Sequence, residues 1–179
     1  MRVKEYVLIL SALICPYLVH CQSDLGMPGP AAQKLMLGTW SIHVQYAPTK
    51  EFPKGDVGVG EEKWYPGPGG QSLIEDYRER NSKGEIVGLG IVWWDETVKG
   101  YHVLWCENTN SQGCEMLKGL AKWKGQNLVL DVDEQVGGLR NRFQEMFSDI
   151  TSNSFKQTLS MNESGDLKPF AAISATKKR

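Results

Sequence analysis

One apolar stretch, residues 86–94, constrains the fold of this chain more than any other feature. It is rich in β-branched and aromatic residues, which suit a buried strand better than a helix. Gly88 and Gly90 fall on one face at period two, opposite a bulky face. A strand with a glycine face is typical of a sharp bend or of close approach by another group. A polar turn at 95–100 and an apolar return at 101–106 complete a central hairpin.

Segments of similar character recur along the chain at short, regular intervals. In residues 39–46, the side chains of Trp40, Ile42 and Val44 alternate with polar ones, as in a half-buried strand. About ten such strands of about 8 to 11 residues can be counted, separated by turn signals, which is typical of a sandwich or an up-and-down barrel. We predict an all-β fold, a single antiparallel up-and-down barrel of about ten strands, with a short helical turn near residues 31–37.

The first part of the chain reads as a processing signal. Residues 1–21 combine basic residues near the start, an apolar run and a candidate cleavage site before Gln22. The apolar run is shorter than the ~20 residues of a membrane-spanning helix, so we expect no stable span in the mature chain. A lipid-modified Cys21 is the alternative. A flexible lead at 22–34 then precedes a barrel domain at 35–179. The expected location is periplasmic or secreted.

Two cysteines, Cys106 and Cys114, would remain in an exported mature chain. In an oxidising compartment they are expected to pair, and turn-type residues between them indicate a bond near a hairpin tip. A metal site would need more ligands than these two thiols and His102 provide, and a redox pair more often has the C-x-x-C spacing. The sequence therefore predicts a structural disulfide.

Charge and motifs argue against several classes of function. The formal net charge is -1 and the pI is about 6.3, with no basic patch, so no nucleic-acid partner is predicted. The pair Gly88 and Gly90 lacks the third glycine and the helix of a dinucleotide fingerprint. Asp131 and Asp133 share one strand face and are interpreted as a solvated face, not as metal ligands; His43 is interpreted in the same way. No cofactor and no metal site are predicted, and the sequence leaves the oligomeric state open.

A set of short motifs carries a family resemblance. Residues 37–40 match the Gly-x-Trp start of calycins, the superfamily of lipocalins and fatty-acid-binding proteins. The motifs follow in the order Gly38-Thr39-Trp40, Gly69-Gly70, Ile74-Glu75-Asp76-Tyr77, Gly88-Leu89-Gly90, Trp94-Asp95, Lys99-Gly100-Tyr101 and Trp105. Over residues 35–176 the chain resembles an uncharacterised family of exported bacterial calycin-like barrels, classed as a domain of unknown function. The resemblance implies a barrel, export and, by analogy of fold, ligand binding. Haem-binding relatives use a histidine late in the chain, and none follows His102, so haem is not expected.

The favoured function is the binding of a small apolar or amphipathic ligand inside the barrel. Tyr77, Trp93 and Trp105 are predicted on the walls, with Glu75 or Arg142 fixing a polar end. An arginine can hold a carboxylate in a forked geometry, and Glu75 could pair with it in the empty cavity. Both charged residues could equally lie on the surface.

Two other functions stay open. One is a structural or interaction barrel whose interior is filled by Trp40, Trp94 and Trp105. The other is a barrel-cavity enzyme with Glu75 or His102 as a general base, although no nucleophile or cofactor motif accompanies them. The volume of the interior separates ligand binding from a filled core.

Overall fold

The structure is a computed structural model, which describes residues 34–50, 52–111, 113–136, 139–162 and 166–179. Most of these residues form strands. The strands are β1 (Gly38–Tyr46), β2 (Asp56–Pro66), β3 (Ser72–Asn81), β4 (Gly84–Asp95), β5 (Gly100–Glu107), β6 (Cys114–Lys124), β7 (Asn127–Val136), β8 (Leu139–Ser148), β9 (Ser154–Met161) and β10 (Lys168–Lys177).

Helical structure is minimal in these ranges. A short 3-10 turn, Pro68–Gly70, joins β2 to β3, and residues 34–36 are helical, within the range 31–37 where the sequence predicts a helical turn. No helix in the described part of the chain is long and apolar enough to cross a bilayer. The predicted export signal and most of the predicted lead lie outside the described residues.

The strands close into a barrel. Each pairs antiparallel with the next along the chain, and β10 returns to pair with β1, where Ser41 lies opposite Thr176. Closure leaves no unpaired sheet edge, so the backbone polar groups of the first and last strands are satisfied by each other. The prediction of an antiparallel up-and-down barrel of about ten strands is confirmed, and the sandwich is ruled out.

The period-two pattern of β1 decides which side chains enter the barrel. Trp40, Ile42 and Val44 are buried, whereas Ser41 and His43 are exposed. His43 thus has the surface position that its polar strand face predicted. Buried apolar residues form two clusters, a larger one that includes Trp40 and a smaller one that includes Tyr101 and Leu130. The interior between the strands is not filled by either cluster.

One end of the barrel is sealed by Trp40, whose side chain is fully buried. Its indole Nε1 donates a 2.8 Å hydrogen bond to the carbonyl oxygen of Met36, and the ring of Phe155 packs edge-on at 4.9 Å. The ammonium of Lys177 lies 4.9 Å from the indole ring centroid. The indole therefore has an apolar body in the core, a satisfied N–H and a cation over its face. We call this region the closed end.

The hairpin between β5 and β6 carries the disulfide. Cys106 and Cys114 are directly opposite in the register, with their sulfur atoms 2.16 Å apart. The predicted pairing is thus present. In this antiparallel barrel β1 and β5 run in the same direction. Trp40 is near the start of β1 and the hairpin follows the end of β5, so the two lie at opposite ends of the barrel.

Candidate ligand-binding cavity

A cavity of about 600 Å³ occupies the barrel interior, and every strand contributes a side chain to its lining. Trp64, Leu73 and Phe147 line it toward the closed end and are buried. Glu115 and Met161 line it at the opposite end and are exposed. The cavity therefore opens beside the β5–β6 hairpin, at the end we call the mouth.

The lining combines apolar walls with an unusual charge balance. Five glutamates line the cavity: Glu75, Glu79, Glu107, Glu115 and Glu145. A sixth, Glu62, is fully buried and interacts electrostatically with Glu75. Among the described residues that line it there is no lysine, arginine or histidine. Since buried charges are normally paired, an acidic interior without internal cations is a functional signal.

Three of these carboxyls, Glu62 from β2, Glu75 from β3 and Glu145 from β8, form an inner group that we call the acidic triad. Burial raises the pKa of Glu62 to about 7 and the pKa of Glu145 to about 7. Burial raises the pKa of Glu75 well above its ordinary value, and the charges of Glu62 and Glu145 raise it further. The three groups therefore act on one another across the lumen and retain protons at a pH where surface carboxyls are ionised.

Hydrogen bonds satisfy the acidic triad only in part. Trp64 Nε1 donates to Glu62 Oε2 at 3.2 Å, and Gln157 Nε2 donates to Glu145 Oε1. Two buried acceptors, Glu62 Oε1 and Gln157 Oε1, have no hydrogen-bond partner within the part of the chain that the structure describes. Their exposed fractions are 0% and 7%, respectively. Unsatisfied buried acceptors are costly, so they mark the triad as a place where a donor fits.

Glu79, nearer the mouth, is fully satisfied instead. Tyr77 and Tyr46 donate their hydroxyls to Glu79 Oε2 at 2.6 and 2.8 Å, and Asn81 Nδ2 donates to Oε1 at 3.0 Å. Burial and these bonds raise the pKa of both tyrosines. Charge-assisted hydrogen bonds of this kind hold a carboxylate rigidly. Glu79 is thus a structural group of the wall.

Glycines make room for the inward side chains. A methyl group added at Gly90 would lie 2.7 Å from Glu75 Oε2, and one added at Gly88 would lie 2.5 Å from the ring of Trp105. The glycine face of β4 therefore points into the barrel, and side chains from β3 and β5 lie over it. This is the close approach that the two glycines predicted.

The structure brings three of the five predicted ligand-binding residues to the cavity. Glu75, Tyr77 and Trp105 line it, and the rings of Tyr77 and Trp105 meet edge to face with centroids 5.9 Å apart. Trp105 Nε1 also donates to Glu107 Oε2 at 3.1 Å, which fixes the indole at the mouth side of the lumen.

Trp93 and Arg142 do not line the cavity, and their predicted inward orientation is corrected. Because Val92 lines the lumen, period two turns Trp93 outward, where its ring stacks on His102 at 5.2 Å. Phe143 lines the lumen in the same way, so Arg142 points outward.

The outer partners of Arg142 are the two aspartates of β7. Its guanidinium lies 3.5 Å from Asp131 Oδ1 and 3.8 Å from Asp133 Oδ2. The aspartates thus lie on an outer face, as the sequence indicated. Arg142 is not available as the partner of Glu75 or as an anchor for a ligand inside the barrel.

His102 is also outside the cavity. Its Nε2 lies 3.1 Å from Asp95 Oδ2, a contact that lowers the pKa of Asp95. Of the two candidate general bases, Glu75 alone faces the lumen. No group of three or more His, Cys, Asp or Glu side chains within the described ranges has the arrangement of a metal site.

Sequence reasoning missed Glu62, Glu79, Glu145 and Gln157. Each lies two residues from an apolar residue of the same inward face; Glu62 precedes Trp64 by two, and Glu145 precedes Phe147 by two. Applying period two strictly within each strand would have identified them.

Comparison with known proteins reveals similarity of fold. No protein-family model matches the chain, and no curated protein is similar to it in sequence. Among solved structures, an S-type phycobiliprotein lyase, CPES from Guillardia theta, has a TM-score of 0.61 at 7% identity, covering 89% of this chain and 98% of that one. Rv2717c from M. tuberculosis has a TM-score of 0.58 at 14% identity, covering 85% and 98%. A designed fluorescence-activating β-barrel has a TM-score of 0.45 at 11% identity, covering 82% and 97%.

Proposed function

We propose that this barrel binds one small apolar or amphipathic molecule in its central cavity. The observation that carries the proposal is the unfilled interior of about 600 Å³. Ligand sites typically enclose about 300 to 1,000 Å³ and combine apolar walls with a few polar groups. A barrel that served only as a structural or interaction module would gain stability by filling this space, because interiors normally pack without large voids.

The tryptophans that could have closed the interior leave it open. Trp40 seals one end, Trp105 lies over Gly88 on the wall, and Trp94 packs edge to face on Tyr101 at 5.0 Å. The phycobiliprotein lyase CPES shares the fold, which supports the proposal by showing that a barrel of this shape occurs in a protein named for handling a chromophore protein. That likeness is one of fold, and the identity of a ligand is left to experiment.

A cavity-filling substitution tests the proposal. Ala121 is buried and lines the lumen, so Ala121→Phe should reduce the volume, whereas Ala172→Phe adds the same ring to the outer face of β10. Titration of the neutral dye Nile red, followed by fluorescence, should saturate at one dye per chain. We expect Ala121→Phe to weaken the affinity about tenfold or more, a loss of about 1.4 kcal/mol. Ala172→Phe should bind like the parent protein.

The opposite result would be just as clear. If no dye bound saturably, or if both phenylalanine variants bound alike, the interior would not be the binding site and the structural barrel would be the better description. Circular dichroism of each variant confirms that the barrel is intact, so a lost signal reports the cavity and not unfolding. Native mass spectrometry of protein purified from its own host then searches for a molecule that co-purifies.

We further propose that the mature protein is exported and begins near Gln22. The basic residues and apolar run of residues 1–21 support this, and so does the bonded Cys106–Cys114 pair, because disulfides persist in oxidising compartments. Sequencing the N-terminus of the protein from fractionated host cells tests the proposal. A chain that retains Met1 in the cytosol with both thiols reduced would contradict it. A start at a lipid-modified Cys21 would identify the anchored alternative.

A further inference from the structure

We propose that the cavity selects a ligand carrying a protonated amine, with Glu75 as its counter-ion and the remaining acceptors of the acidic triad and Gln157 as its hydrogen-bond partners. This inference rests on the proposed ligand binding and adds the chemical class of the ligand. It is carried by three features of the lumen: the sign of its charges, its unsatisfied acceptors and its aromatic walls.

The basic side chains of the adjacent strands do not neutralise the triad. Lys63 on β2 and Arg78 on β3 are exposed on the outer face, and Arg142 on β8 is held outside by Asp131 and Asp133. Within the described lining there are five carboxylates and no cation. An anionic ligand would be repelled by any ionised carboxylate of this interior, whereas a neutral ligand would leave the carboxyls of the triad to keep their protons.

The free polar atoms at the triad are acceptors, which fit a ligand group that donates hydrogen bonds. Glu62 Oε1 and Gln157 Oε1 are buried and unpartnered among the described residues. Burial and neighbouring charges raise the pKa of the Glu75 carboxyl, with no hydrogen bond among the causes. An ammonium group has three donors and no acceptor, so it complements the free oxygens beside the triad. A hydroxyl could satisfy at most one of these oxygens, and a carboxylate none.

Aromatic neighbours favour an organic cation over a metal ion. In the strand register Trp64 lies opposite Glu75, and Tyr77 lies opposite Glu62. Aromatic faces near a carboxylate attract ammonium groups through their ring electrons. The described carboxyls are not arranged as a metal site, and the walls beyond them are apolar. A monoamine with an alkyl or aryl body matches both parts of the cavity.

Protons and the amine should compete for the same site. The titratable groups that face Glu75 are Glu62 from β2 and Glu145 from β8, with Glu79 farther along β3; β4 presents Gly90 and no titratable group. Because the empty triad retains protons near neutral pH, binding of an ammonium releases them. Affinity for an amine should therefore rise between pH 5 and pH 8, while affinity for a neutral analogue should stay constant.

Three probes with the same alkyl chain test the inference: dodecylamine, dodecanol and dodecanoate, each titrated calorimetrically into the mature protein at pH 8 and pH 5. We expect dodecylamine to bind about tenfold or more tightly than dodecanol at pH 8, and dodecanoate to bind most weakly. Repeating the amine titration in phosphate and in Tris, which differ in ionisation enthalpy, measures the protons released. A net release at pH 7 is expected for the amine and none for the alcohol.

Two variants localise the effect. Glu75→Gln and Glu145→Gln keep the side-chain shape, and each should lower the preference for amine over alcohol to within about twofold. Glu85→Gln, an exposed carboxylate of β4, should keep the full preference.

The outcomes distinguish a failure of the amine assignment from a failure of the proposed ligand binding. If dodecanol binds in the cavity but dodecylamine shows no preference and no proton release, the amine assignment is wrong and the ligand-binding barrel stands. The same holds if the preference survives in Glu75→Gln and Glu145→Gln, or if zinc or calcium ions bind in place of the amine. If none of the three probes binds, both the inference and the proposed function fail.

Discussion

Replacing Glu145 by glutamine should stabilise the folded protein, and the gain should grow with pH. Glu145 is partly accessible, but it lines the cavity, so the accessible part faces the lumen. Burial raises its pKa from 4.5 to about 7. Because the folded pKa lies above the unfolded one, the native state holds the proton more tightly. Glu145 therefore leaves the free energy of unfolding unchanged below about pH 4.5 and lowers it as the pH rises toward about 7 and above.

The magnitude follows from the two pKa values. A tenfold difference in proton affinity corresponds to about 1.4 kcal/mol, so a rise from 4.5 to about 7 lowers the free energy of unfolding by up to ~3 kcal/mol at pH 8 and by under ~1 kcal/mol near pH 5. Glutamine cannot ionise and keeps an acceptor for Gln157 Nε2. Its own amide can also donate to Gln157 Oε1, which has no partner among the described residues.

Urea unfolding followed by tryptophan fluorescence, with the disulfide intact, measures this difference. The parent, Glu145→Gln and Glu85→Gln are compared near pH 5 and near pH 8. Glu85→Gln should change little at either pH, because Glu85 is exposed and its ion pair with the exposed Arg80 is long, at 4.0 Å. A Glu145→Gln gain that is equal at both pH values, or a loss at pH 8, would refute the argument that the lumen holds a costly carboxylate.

Three further substitutions test the packing around the cavity. Gly58→Ala should lower the free energy of unfolding by about 1 to 3 kcal/mol, because its methyl would lie 2.0 Å from one oxygen of the Glu79 carboxyl, a group that three hydrogen bonds hold in place. The exposed Val57→Ala is the matched control in the same urea titration. Tyr77→Phe should cost about 1.5 to 3 kcal/mol by removing one of those bonds, and an unchanged unfolding midpoint would contradict that role. Cys106→Ser with Cys114→Ser should lose about 2 to 3 kcal/mol, and reducing the parent should reproduce the loss.

Local pattern was sufficient to predict much of the fold. Alternation of apolar and polar residues located the strands, and turn residues separated them, because both depend on neighbours in the chain. The two-residue repeat also predicted correctly which residues share a face with Glu75, because Leu73 and Tyr77 lie on the same inward face of β3. The disulfide followed from the hairpin between Cys106 and Cys114.

The pattern of apolar and polar residues did not predict which face of β4 points into the barrel. Its bulky face, with Trp93, was predicted to form the wall, but the bare glycine face is the one that points inward. The reason is crowding: Glu75 and Trp105 from the adjacent strands occupy the space over Gly90 and Gly88, so the bulky side chains that alternate with these glycines lie on the outer face. Arg142 was placed wrongly because its charge suggested a ligand anchor, whereas Phe143 beside it determines the inward face.

The sequence by itself determined that this chain forms successive antiparallel strands with a carboxylate on the face that also carries Leu73. Tertiary structure alone decided that Glu62, Glu75 and Glu145, which belong to β2, β3 and β8, share one lumen without a cation. Facing direction within a strand is fixed by the two-residue repeat of the backbone. Which side chains meet across a barrel depends instead on register and closure, which involve residues far apart in the chain.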